Sequence, residues 1–118
     1  MSNTCVPCAA GSTNVAGDSA SGSDTSCDVT LCAIDEFVSS NSCVSCAPGT
    51  TNDAGDDASG SDTMCDAVIC STDEFVSSNV CVSCPAGTTN AAGDDASGSD
   101  TTSDVTTCGL NQYVSSNV

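Results

Sequence analysis

A cysteine pattern that returns every 38 residues constrains this chain more than any other feature. Cys5, Cys43 and Cys81 open three copies, and Cys8, Cys46 and Cys84 complete a C-x2-C pair. Cys27 and Cys65 follow, and Cys32, Cys70 and Cys108 close the set. Ser103 stands where the third copy calls for its third cysteine. Residues 1–4 read as the end of a preceding repeat, and 5–42, 43–80 and 81–118 as repeats 1, 2 and 3. The N-terminal residues align with Ser39–Ser42, and the chain stops one residue before the period calls for another Cys, so a segment of a longer array is expected.

Copies this short cannot each build an apolar core. The large apolar side chains are few, chiefly Phe37, Phe75, Tyr113, Leu31, Leu110, Ile34 and Ile69. Ordering costs about 1.5 kcal/mol per residue against about 25 cal/mol per Å² of buried apolar surface, so burial at this density leaves a deficit. A disulfide closing a loop of about 20 residues removes about 3 kcal/mol of unfolded-state freedom. Regular cysteines in a core-poor chain therefore argue for disulfides and for an extracellular or cell-surface setting.

Two other uses of the cysteines are weaker. Four thiolates per copy could hold zinc, but Ser103 is a poor ligand and no knuckle glycine directly follows either pair in the two complete copies. A redox-active C-x-x-C lacks any Lys, Arg or His to lower a thiol pKa.

Connectivity stays open between two schemes. Crossed pairing joins Cys5 to Cys27, Cys8 to Cys32, Cys43 to Cys65, Cys46 to Cys70 and Cys84 to Cys108, leaving Cys81 unpaired. It is favoured because it strands one cysteine. Neighbour pairing joins Cys8 to Cys27, Cys32 to Cys43, Cys46 to Cys65 and Cys70 to Cys81. That scheme strands Cys84 opposite Ser103, sends Cys5 and Cys108 to partners beyond the ends, and laces copy to copy.

The chain carries 16 carboxylates and no cationic side chain, a formal charge of −16. Nucleic acid and anionic membranes are excluded as partners, since both are bound through Lys and Arg. No apolar run is long enough to span a bilayer, so no direct membrane insertion of this segment is expected.

Within each copy a small-residue bend such as Ala47-Pro48-Gly49 follows the C-x2-C pair. A polar loop of consecutive turns comes next, flanked by short extended pieces such as Gly49-Thr50-Thr51. The closing third, Asp35 to Asn41, recurs as Asp73 to Asn79 and Asn111 to Asn117. Its aromatic-Val pair, Ser-Ser-Asn and following Val predict a short β-hairpin turning at Ser-Ser-Asn, with the aromatic covering the disulfides or the next copy.

Three sets of residues could carry chemistry. Asp56, Asp57 and Asp62, with Asp94, Asp95 and Asp100 in the next copy, are hard oxygen donors on glycine-containing loops and are candidate Ca2+ ligands, although such residues also simply build turns. The spacing is not that of an EF-hand, and repeat 1 keeps only Asp18 and Asp24. Thr50, Thr51, Thr88, Thr89, Thr101 and Thr102 are candidate O-glycan acceptors. Asn3, Asn41 and Asn79, each two residues before a Cys, form only the weak variant of an N-glycan sequon. No nucleophile stands beside a base, so no catalytic residue is assigned.

The run Cys81-Val82-Ser83-Cys84-Pro85-Ala86-Gly87-Thr88, with its equivalent Cys43 to Thr50 and a weaker one at Cys5 to Ser12, resembles the tandem repeats of ciliate surface immobilisation antigens. The Asp62 to Cys65 step and the C-x-x-C-P-x-G start are also similar to cysteine-rich modules of tumour necrosis factor receptors and ephrin-receptor-like repeats. The resemblance implies a secreted or lipid-anchored, non-catalytic coat protein.

The expected fold is small, disulfide-rich and mostly irregular with short β-hairpins, its 38-residue repeats stacked as an extended rod. The expected function is a structural, glycosylated repeat region of a coat or filament that associates with further copies of the array. The alternative is an extracellular binding or adhesion module, calcium-dependent through its Asp loops. No other cofactor is expected.

Overall fold

The hairpin motif folds where its dihedral requirements are met. In the computed structural model, which describes residues 4–116, β3 (Glu36–Ser39) pairs antiparallel with β4 (Ser42–Ser45), Phe37 opposite Val44 and Val38 opposite Cys43. Ser40 and Asn41 form the connection with φ of 49° and 62°, and positive φ at both loop residues is what a type I′ turn needs to match the twist of its strands. The same geometry recurs in β7 (Glu74–Ser77) and β8 (Val80–Ser83), joined through Ser78 and Asn79 at 50° and 64°. Asn tolerates that region because its short polar side chain bonds locally.

The remaining strands are two-residue pieces, the first two pairs each joined across a cysteine-closed loop and the third across the loop between Cys84 and Ser103. β1 (Ser12–Thr13) pairs with β2 (Asp28–Val29), and β5 (Thr50–Thr51) with β6 (Asp66–Ala67). β9 (Thr88–Thr89) pairs with β10 (Asp104–Val105). Among the described residues there is no helix, so the fold is the small, disulfide-rich, mostly irregular one expected.

Four disulfides form: Cys8–Cys27, Cys32–Cys43, Cys46–Cys65 and Cys70–Cys81. This is neighbour pairing, and it corrects the crossed scheme. Cys81 is bonded, and Cys5, Cys84 and Cys108 carry free thiols. The hairpin is the physical reason. Its register sets Cys43 directly opposite Val38, where the sulfur reaches Cys32 at the foot of the motif, and no bond to Cys65 can coexist with that. Cys32–Cys43 and Cys70–Cys81 each span only 11 residues and cross the boundary between sequence copies.

The chain forms two units, one of Met1–Cys46 with Asn52–Cys65, the other of Ala47–Thr51 with Asp66–Val118. Each has a core of very few side chains. In the first, Cys32, Val38 and Ala58 are buried, and in the second Cys70, Val76 and Ala96, with Cys81 packed against them. The β-branched valine at the centre of each first strand is fully enclosed, at 0% exposure. The aromatic was expected to cover the disulfides or the next copy; Phe37 and Phe75 are half-buried, and the valine after each takes the centre of the core. Alternation along a strand explains it: Phe and Val face opposite sides, and only one side meets the disulfide and the loop.

The small-residue bend has a specific task. Gly11, at φ 82°, lies so close to the Ala58 carbonyl that a Cβ would sit 2.2 Å from its oxygen, and Gly49, at 80°, meets the Ala96 carbonyl in the same way. Next to this contact Cys32 N–H donates to Asp56 O at 2.8 Å and Ala58 N–H to Thr30 O at 2.8 Å. Cys70 and Ala96 make the corresponding bonds to Asp94 and Val68.

Candidate functional site

In the second and third copies the polar loop after the bend is folded against the hairpin before it by a set of side chains that do not stand together in sequence. Asn52 Nδ2 donates to Glu36 O at 2.8 Å and to Asp56 Oδ2 at 2.7 Å. Thr63 Oγ1 donates to Asp56 Oδ2 at 2.6 Å and accepts from Val38 N–H at 2.8 Å. Asn41 Nδ2, at the hairpin tip, donates to Ala58 O at 2.8 Å, and Ser40 N–H donates to Asp62 Oδ1 at 3.0 Å. The valine whose side chain is the core thus has its N–H satisfied by the loop, as a buried donor must.

The second unit repeats this clamp. Asn90 bridges Glu74 O and Asp94, Thr101 joins Asp94 to Val76 N–H, Asn79 donates to Ala96 O, and Ser78 N–H donates to Asp100.

These contacts place all six aspartates singled out from sequence. Asp56 and Asp94 are half-buried clamp acceptors, and Asp62 and Asp100 anchor the hairpin tip. Asp57 and Asp95 are exposed and close a turn on themselves, each accepting from the hydroxyl and the N–H of Ser59 or Ser97 at 2.6 and 2.8 Å. The Ser59 hydroxyl, then its N–H, holds the Asp57 carboxyl below the usual carboxylate range, and Ser97 does the same for Asp95. In repeat 1 the hydroxyl of Thr25, then the amide of Asn14, lowers Asp18. The carboxylates therefore accept protein hydrogen bonds as turn and clamp residues, the role Asp plays in loops generally.

Cys32, Glu36 and Cys43, and likewise Cys70, Glu74 and Cys81, bring two sulfurs and a carboxylate within 4.8 Å. In both groups the sulfurs are bonded to each other, which leaves no thiolate to ligate a metal. Glu36 and Glu74 instead accept from the N–H of Ala33 and Ser71 at 2.9 Å, tightening the turn into the hairpin.

The hydroxyls separate into two groups. Thr101 is half-buried inside the clamp, and Thr50 and Thr88 are half-buried and donate to Ala47 O and Pro85 O. Thr51, Thr89 and Thr102 stand exposed. The Asn41 and Asn79 amides are engaged in the clamp, so the weak sequon variant falls on structural groups; Asn3 lies outside the described residues.

Sequence reasoning missed Asn41, Asn52, Thr63 and Ala58, with their equivalents, as members of one assembly. The available signal was their return at the cysteine period with no apolar reason to return.

The free thiols mark the incomplete places. Cys84 is half-buried in contact with the Ser103 hydroxyl, where the preceding copies hold Cys8–Cys27 and Cys46–Cys65. Cys5 and Cys108 are exposed.

Together these features define a class: tandem, disulfide-laced β-hairpin modules in which polar side chains replace a core. No protein-family model matches the chain, and no match was found among curated proteins or solved structures.

Proposed function

We propose that the chain is a non-catalytic structural repeat region of a secreted or cell-surface protein, a coat or filament built by running such modules end to end. The observation that carries it is that the chemistry-bearing residues are spent on structure. Eight cysteines are paired, and the aspartates and asparagines clamp hairpin to loop. Disulfides of this number persist in oxidising compartments, which fits an extracellular module. Exposed Thr51, Thr89 and Thr102 are the hydroxyls this reading offers to glycans, and the likeness to ciliate immobilisation-antigen repeats supports the same role.

A thiol count on the native protein tests it. Three reactive thiols are expected, and reduction without denaturant should abolish the β signal in circular dichroism. Eleven free thiols with that signal intact would sink the reading. A calcium-dependent adhesion module is separated by calorimetry: heat and a raised Tm at millimolar Ca2+ would favour it.

A further inference from the structure

Each hairpin has one sealed edge and one open edge. On β3, Val38 N–H donates to Thr63 Oγ1 and Val38 O accepts from Thr63 N–H, while Glu36 N–H donates to Ala33 O and Glu36 O accepts from Asn52 Nδ2. The loop and the turn thus occupy the outer side of β3. Val38 and Glu36 face away from the ladder, so the residues opposite them, Cys43 and Ser45, face away on the other side, because antiparallel pairs alternate between bonded and non-bonded. Their N–H and C=O groups form the outer edge of β4, and among the described residues no group bonds to them there.

β8 repeats the arrangement. Thr101 takes both backbone groups of Val76, Ser71 and Asn90 take those of Glu74, and Cys81 and Ser83 are left on the open edge. β4 stands between the first and second sequence copies and β8 between the second and third, so both edges are open with their flanking copies in place.

We propose that these edges join chain to chain: β4 of one molecule pairs antiparallel with β4 of a second copy, and β8 with β8, each giving a four-stranded sheet across two molecules. The proposal specifies the lateral contact that a coat needs, and rests on that reading.

Charge, register and access choose a second copy as the occupant. Open edges are normally guarded by charged side chains, yet in a chain of 16 carboxylates none falls between Glu36 and Asp53 or between Glu74 and Asp94. Two like-charged copies approach with least repulsion at these strands, whereas a cationic partner finds no charge on them to bind. The strand is also self-complementary. A two-fold axis at Val44 sets Val44 against its own copy and Cys43 against Ser45 at both ends, so the outward groups exchange four N–H···O bonds. Val44 then forms a non-bonded pair, in which side chains stand closest, and the contact covers a residue that is 42% exposed in the single molecule. Val82, at 39%, takes the same place in β8. Access is provided by an open groove of about 310 Å³ that Ser42 and Cys43 line together with Gly11, Ser12 and Thr13. The contact is isologous, and since the edge returns with the repeat, a contact that is weak singly is multiplied along an array.

The test uses the full chain with Cys5→Ser, Cys84→Ser and Cys108→Ser, so that no free thiol cross-links it. A mass eight hydrogens below the reduced form first verifies the four disulfides; failure there indicts the module reading and not this one. Sedimentation velocity over a wide concentration range should then show reversible self-association. It should strengthen from about 0.1 M to about 1 M NaCl, as the screening length falls from about 10 to about 3 Å and the carboxylates repel less. Ser45→Pro with Ser83→Pro removes an outward N–H from each edge, and the repeat itself carries proline at this position as Pro7. The pair should weaken association at least tenfold and leave the circular dichroism of the single molecule unchanged.

Should that pair disturb the fold, Val44→Cys gives a second reading. A non-bonded pair stands about 4.5 Å apart at Cα, within disulfide reach, so in glutathione redox buffer this variant should cross-link two molecules through position 44. Met64→Cys, at a site 75% exposed, should not. A monomer at every concentration and salt, indifference of a folded chain to the two prolines, or Met64→Cys cross-linking as readily as Val44→Cys would each overturn the proposal. So would a chain that stays monomeric and binds a peptide of alternating Val and Lys at these edges, which would assign them to a cationic partner.

Discussion

Ser103→Cys should restore the missing staple of the third copy. The position is already shaped for it: Cys84 touches the Ser103 side chain, and the two are separated by 19 residues, the separation of Cys8–Cys27 and Cys46–Cys65. Those bonds have Cα–Cα distances of 5.9 Å, the usual disulfide span. Closing a loop of this length removes about 11 cal/mol/K of unfolded-chain entropy, or about 3 kcal/mol at 25 °C. At about 4–8 °C per kcal/mol for a small domain, the melting transition of the second unit should rise by roughly 12–24 °C. Native thiol counting should fall from three to two, Cys5 and Cys108 remaining, and intact mass should lie ten hydrogens below the fully reduced variant, as five disulfides require, where the four of the parent give eight. The converse change, Cys65→Ser, should lower the first unit by a similar amount. If Ser103→Cys formed the bond without raising the transition, the loop between residues 84 and 103 would already be restrained in the unfolded state, and the entropic account of these modules would be wrong.

Gly49→Ala places a methyl 2.2 Å from the Ala96 oxygen at φ 80°. The left-handed conformation alone should cost about 1–2 kcal/mol, so the unfolding free energy from urea titration should fall by at least that much, with a lower midpoint. Val76→Ala empties the centre of the second core and should cost about 2–3 kcal/mol from two lost methyl groups plus the cavity; a loss under 0.5 kcal/mol, roughly the scale of a neutral surface change, would mean the side chain is not enclosed. For pH, the folded Asp57 and Asp95 values lie below the ordinary 3.8. Their turns therefore contribute fully above the unfolded value and lose that contribution as pH falls below it through the folded value. Ser59→Ala should move the Asp57 carboxyl titration, followed by carbon NMR, back up toward 3.8 and leave Asp95 unchanged.

The hairpins were legible because Asp35 to Val44 carries its own instructions: two residues tolerant of positive φ between runs of strand-forming side chains. The turn loops were legible from their Asp, Gly and Ser content. The clamp was not, because Asn41 and Ala58, or Val38 and Thr63, lie 17 and 25 residues apart and neither pair has a periodic relation to the other. The disulfide pairing was misread for a related reason. Parity of cysteines counts partners but ignores distance, and the hairpin register is what brings Cys43 to Cys32.

The sequence by itself determined that the chain repeats and that cross-links and turns must make up for a very small core. These follow from composition and local dihedral preference, which need no partner residue. Only the tertiary structure decided which cysteines meet, that valine takes the centre in place of the aromatic, and that the aspartates hold hairpins to loops. Each of those outcomes depends on which atoms come within a few ångströms across a loop closure, a quantity no spacing along the chain contains.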